Sequence, residues 1–138
     1  MIISYKLDAG AYTPTKAHKT DAGFDLYLKE NQRINAYSES FIDTGLHINI
    51  PTGFVALLLP RSSLNKKGLV SHTGVIDAGY TGSVKITISN HTPIGFNFSA
   101  GERIAQLVII PIPEIELEQV TELPQTDRGS NGFGSSGR

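Results

Sequence analysis

Val84-Lys85-Ile86-Thr87-Ile88-Ser89-Asn90-His91-Thr92-Pro93-Ile94-Gly95-Phe96-Asn97-Phe98 alternates apolar and polar residues on both sides of a turn. Successive side chains of an extended chain point to opposite faces. Val84, Ile86 and Ile88 therefore share one face, and Ile94, Phe96 and Phe98 share one face of the next strand. His91-Thr92-Pro93 supplies the turn, because proline fixes φ and donates nothing to a strand ladder. Downstream, Ile104 to Ile112 carries apolar residues on both faces, with Gln106 on the face of Ile104, Val108 and Ile110. Such a strand belongs in the middle of a sheet. Ile115 and Leu117 alternate with Glu116 and Glu118, which extends the same period. Upstream, Ile42–Ile50 and Phe54–Leu59 read as two more strands, parted by Pro51-Thr52-Gly53. No long segment has a helical apolar period, and the one helical candidate is Ser62–Lys67. Short strands with turn signals at close intervals make an all-β sandwich or barrel.

The chain has 138 residues, enough for one domain with a real core. Twelve Lys and Arg stand against 13 Asp and Glu, a formal net charge of −1. Without a basic excess there is no basis for holding a nucleic-acid duplex by counterion release. Cysteine is absent, which removes disulfides and thiolate zinc sites. No HExxH pattern or Walker loop occurs. The apolar runs fall short of membrane-spanning length, and the N-terminal residues do not read as a secretion signal. The expectation is a soluble cytoplasmic protein, of the host cytoplasm if phage or viral, with no nucleic-acid or membrane partner. Residues 1–124 form the β domain in this reading, and 125–138 a Gly-rich arm, QTDRGSNGFGSSGR. Alone, that arm cannot repay its ordering entropy. It is either a frayed end or a lid.

Three segments could carry chemistry. Pro60-Arg61-Ser62-Ser63-Leu64 ends a strand and opens the helical turn, so its hydroxyls and guanidinium could cradle a phosphate. Equally, Ser62 or Ser63 could be an N-cap. Gly74-Val75-Ile76-Asp77-Ala78-Gly79-Tyr80-Thr81-Gly82 suits a tight hairpin leading into the Val84 strand. Asp77 could hold and deprotonate a water there, or serve only its own turn. Tyr80 could stack on a sugar, or be an edge aromatic. Asp21 and Asp25 offer hard oxygens of the kind Mg²⁺ takes, or a turn followed by a solvated carboxylate.

In order along the chain, AGFDL (Ala22–Leu26), PRSSL (Pro60–Leu64), GVIDAGYTG (Gly74–Gly82), GERIAQL (Gly101–Leu107) and RGSNGFGSSG (Arg128–Gly137) resemble the five motifs of the trimeric dUTPase family. Each motif is short, but five in order across nearly the whole chain are specific. The resemblance implies a jelly-roll-like distorted β-barrel with one short helical segment and a flexible arm. It implies Mg²⁺-dependent hydrolysis of dUTP to dUMP and pyrophosphate, which limits uracil in DNA and supplies dUMP. It also implies a homotrimer whose active sites are shared between subunits.

Residue by residue, the resemblance makes Asp77 the acid that activates water and meets the 3′-hydroxyl. Tyr80 becomes the sugar-stacking ring that disfavours a ribose, and Val75 and Ile76 the backbone that holds uracil. Arg61, Ser62, Ser63 and Gln106 become phosphate ligands, and Lys85 a further substrate contact. Asp25 meets Mg²⁺ through water. Arg128 takes the γ-phosphate, while Phe133, with Gly134 and Ser135, closes over the base. Many relatives carry Asn six residues before the catalytic Asp, bonding the uracil edge. Here that position is Ser71, whose shorter side chain puts the contact in question. A rival family on a similar fold, dCTP deaminase, shares RSSL and the ID-x-G-Y-x-G stretch. Its acid/base Glu stands three residues before a strand-ending Asn, where this chain has Thr87 before Asn90. A viral dUTPase with an added regulatory protein partner is the other alternative.

Overall fold

The computed structural model describes residues 1–65 and 67–134. Among them are eleven strands and one short helix. A four-stranded antiparallel sheet runs β2 (Phe24–Tyr27), β11 (Arg103–Pro111), β6 (Phe54–Pro60), β8 (Gly74–Ile76). A three-stranded sheet runs β4 (Glu39–Asp43), β9 (Lys85–Asn90), β7 (Leu69–Ser71). Two ribbons complete the strands: β1 (Tyr5–Leu7) with β5 (Leu46–Ile48), and β3 (Gln32–Ile34) with β10 (Phe96–Phe98). The helix α1 is Ser62–Asn65, inside the expected helical segment.

The alternation of β9 works as its spacing requires. Val84, Ile86 and Ile88 are at most 1% exposed and belong to one apolar core with Leu26, Leu58, Ile104 and Leu107. Each such side chain taken from water contributes about 1.5–3 kcal/mol, most of it offset by lost chain entropy. β11 is central in its sheet, as two apolar faces demand.

Three expectations are corrected. Ile42–Ile50 is not one strand but two, β4 and β5, broken at Thr44-Gly45. Gly45 has φ 68°, and a Cβ there would lie 2.8 Å from that of Ala11, so both conformation and space demand glycine. The Gly74–Gly82 segment is not a β8–β9 hairpin: β8 pairs with β6 while β9 lies in the other sheet. Ile115 and Leu117 lie in no strand and are 69% and 96% exposed, because the last strand ends at Pro111. Every described residue from Pro111 to Gly134 is exposed.

Candidate active site

β2 and β11 pair Asp25 with Gln106, and β11 and β6 pair Gln106 with Leu59, so three strands bring Asp25, Gln106 and the end of β6 together. A β-bulge between Arg103 and Ala105 decides which way Gln106 points. Ile104, Ala105 and Leu107 are all buried, and Gln106 is left on the outer face instead of sharing the side of Ile104. Its Nε2 lies 3.5 Å from the Pro60 carbonyl oxygen. Asp25, whose side chain is 19% exposed, lies 3.6 Å from Arg61 Nε and 3.5 Å from Arg103 Nη1. Two guanidiniums against one carboxylate leave one positive charge over, which suits a phosphate. Ser62 and Ser63 follow directly, both exposed, and Leu64 anchors α1 in the core at 3% exposure. Arg103 lies inside the GERIAQL motif, but nothing in the sequence says that the sheet register turns it onto Asp25.

A second group gathers around the β8–β9 connection. The Tyr80 N–H donates to the Asp77 carbonyl at 3.2 Å, closing the turn after β8, with Gly79 at φ 88°. Val75, Ile76, Asp77, Tyr80 and Lys85 line one pocket of about 220 Å³. The Asp77 carboxylate has no hydrogen bond or ion pair among the described residues, and so faces the pocket uncommitted. Lys85 puts a cation on the same wall. No residue of the Asp25 group lines this pocket.

The other expected residues lie elsewhere. Ser71 is buried in the core at 4% exposure, opposite Ile88, and its Oγ has no partner. It does not line the Asp77 pocket. Next to it, His72 Nε2 lies 2.7 Å from Ser89 Oγ and 3.8 Å from Glu39. Arg128 donates through Nε to the Asn131 carbonyl at 3.1 Å, within the arm. Phe133 is fully exposed, and Gly134 has φ 75°. None of these arm residues lines the Asp77 pocket. Ser135 and the rest of the fifth motif after Gly134 lie outside the described residues.

Residues 43–47, which no motif covers, hold the segment behind the pocket. The Thr44 N–H and hydroxyl both donate to the Val84 carbonyl, at 3.1 and 2.7 Å, and the Val84 N–H donates to Leu46 at 2.7 Å. His47 Nδ1 meets the Thr81 carbonyl at 2.8 Å, and its Nε2 meets Asp8 at 3.1 Å. The Ser83 hydroxyl donates to the Asp43 carboxylate. That bond, above all, holds the Asp43 carboxyl below the usual carboxylate range. Burial opposes it, while the Gly45 N–H and the charges of Lys29 and Lys85 assist.

A carboxyl whose pKa is lowered on folding adds stability above its unfolded value, near 3.9, and loses it as pH falls through the folded value. Asp43→Asn should therefore lower the melting temperature at pH 7. The gap to the unaltered protein should close as pH drops below about 4. A gap of constant size from neutral pH to pH 2 would contradict this.

Known proteins share this sequence pattern and this fold. The family model dUTPase matches residues 10–137. The deoxyuridine 5′-triphosphate nucleotidohydrolase of Yarrowia lipolytica is 41% identical over 134 residues, covering 95% of this chain and 85% of its own. The solved dUTPase of Staphylococcus bacteriophage 80alpha with dUPNHPP superposes with a TM-score of 0.93 at 36% identity, covering 99% of both chains. A mutant dUTPase from phage phi11 of Staphylococcus aureus, described as coordinating a structural Mg(II) ion, superposes with a TM-score of 0.83 at 32% identity. It covers 88% of this chain and 98% of its own. By the family match over most of its length, its identity to these relatives and their shared fold, this chain belongs to the dUTPase family.

Proposed function

We propose that this chain hydrolyses dUTP to dUMP and pyrophosphate with Mg²⁺, in a homotrimer whose active sites are shared between subunits. The observation that carries the reading is the uncommitted Asp77 carboxylate in one pocket with Tyr80 and the Val75–Ile76 strand. Among the described residues β8 is an edge strand, bonded only to β6, so its outer edge offers unpaired N–H and C=O groups. Uracil presents a matching row of acceptor, donor and acceptor. Tyr80 walls the sugar. Asp77 accepts a proton from the water that attacks phosphorus, and the bond between the α- and β-phosphates breaks. Arg61, Gln106, Ser62 and Ser63 take phosphate oxygens, and Arg128 and Phe133 arrive on the arm to close over the γ-phosphate and the base.

Two observations support sharing between subunits. The Asp25–Arg61–Gln106 group and the Asp77 pocket have no residue in common, and among the described residues none of the arm lines that pocket or bonds to that group. Past the last strand, Ile115, Leu117, Leu123 and Phe133 are at least 69% exposed, apolar area that further copies of the chain would cover. Among the described residues no three His, Asp or Glu side chains cluster as a metal cage. Asp25, ion-paired with Arg61 and Arg103, offers a single carboxylate, which suits only an ion that keeps its waters and leans on phosphate oxygens. Bound there, Mg²⁺ would neutralise phosphate charge, with Asp25 as the residue that would hold it through water.

Asp77 is the pocket's one carboxylate, and Thr87 faces Phe41 across the sheet instead of entering it. The pure protein should release dUMP and pyrophosphate from dUTP, stop when chelator removes Mg²⁺, and leave dCTP intact. Ammonia from dCTP, or inertness toward dUTP with Mg²⁺ present, would sink the reading.

A further inference from the structure

Tyr80 owes its position to the peptide between Gly82 and Ser83. Its hydroxyl donates to the Ser83 carbonyl at 3.0 Å. Its ring covers Gly82 so closely that a Cβ there would lie 2.6 Å from Tyr80 Cζ. Whatever fixes that peptide fixes the ring.

The ends of the segment are pinned by other means: Thr81 by His47 at 2.8 Å, and Val84 by bonds from the Thr44 N–H and hydroxyl and by its own N–H donating to the Leu46 carbonyl. Between them Gly82 has no side chain, and the Ser83 hydroxyl bonds to Asp43. Asp43 is itself set in advance. Its backbone pairs with Lys85 in the β4–β9 ladder, and its Oδ1 accepts the Gly45 N–H at 2.9 Å. The carboxylate does not line the Asp77 pocket.

We infer that Asp43, acting through Ser83, is a positioning residue for the Tyr80 ring and so sets how sharply the site excludes a ribose 2′-hydroxyl. The inference rests on the proposed function, in which Tyr80 walls the sugar. Exclusion by a wall needs the wall to stay in place. With Asp43 gone, the Gly82–Ser83 peptide and the ring resting on it gain freedom. dUTP asks nothing of that rigidity, whereas UTP gains room. The signature is therefore a gain on the wrong substrate, which general damage to the fold cannot produce because it lowers both rates.

The test measures kcat and KM for dUTP and UTP, together with ¹⁹F spectra of protein carrying 3-fluorotyrosine. The Tyr80 signal is identified by its absence in Tyr80→Phe. In Asp43→Ala the preference for dUTP over UTP should fall roughly tenfold, the scale of one lost steric contact in a pocket. Most of the fall should come from a lower KM for UTP, with kcat/KM on dUTP held within about threefold. Ser83→Ala should relax the preference equally, and the double variant no further, because the two act as one unit. Asp43→Asn keeps an acceptor for Ser83 and should restore the preference. The Tyr80 signal should move in both alanine variants while those of the other tyrosines stay.

An unchanged preference in a folded, trimeric Asp43→Ala overturns the inference, whether or not the signal moves. If the unaltered protein does not cleave dUTP, the functional reading fails. The ¹⁹F signal then decides the positioning alone: a moved signal upholds it, and a fixed one overturns it.

Discussion

Asp77→Asn should lower dUTP turnover by about 10²-fold or more, the scale of a positioned general base. Asparagine matches the shape of aspartate, so the turn after β8 should survive. The turn is closed by the Asp77 backbone carbonyl and not by its side chain. What disappears is the only carboxylate among the residues lining the pocket, and with it the proposed acceptor for a proton of the attacking water. Binding of a non-hydrolysable dUTP analogue should persist, weakened by the altered 3′-hydroxyl contact. Steady-state kinetics beside calorimetric titration separate the two quantities. Turnover close to that of the unaltered protein would reduce Asp77 to a turn residue.

The second large effect is a recovery of activity. A truncation after Asp127 removes Arg128 and Phe133; neither lines the Asp77 pocket and neither is bonded to the Asp25 group. Homotrimers of the truncation, and of Asp77→Asn, should both be nearly inactive, because every site lacks one part. In trimers refolded from an equal mixture, a site that draws its Asp and its arm from different chains is whole in about a quarter of cases. Mixing two inactive proteins should thus restore about a quarter of the activity, against none if both parts come from one chain. Mass spectrometry confirms that mixed trimers form. Their presence without recovered activity would refute the shared site.

Much of this was legible in the residues. The alternation of Val84, Ile86 and Ile88 announced a strand with one buried face, and the two apolar faces around Leu107 announced a central strand. Both follow from period two, a local property. The third motif named Val75, Ile76, Asp77 and Tyr80, the family resemblance added Lys85, and the structure gathers those five around one pocket. Ile115 and Leu117 misled because alternation marks a strand only where a partner strand exists, and past Pro111 this chain offers none. The break at Gly45 stayed hidden for a similar reason. The neighbour that forbids a side chain there, Ala11, is remote in sequence.

The sequence by itself determined the all-β class, the buried face of Val84, Ile86 and Ile88 and the set of candidate site groups, because these rest on periodicity and on the order of short motifs. Only the tertiary structure decided how those groups are held. The bulge at Arg103–Ala105 turns Gln106 outward, and the register of β2 on β11 sets Asp25 between Arg61 and Arg103. The crossing of the chain from β8 to the other sheet puts Ser83 against Asp43, 40 residues away. Such contacts depend on which strands meet and in what register. That is settled by the packing of the whole core, and no local pattern of side chains encodes it.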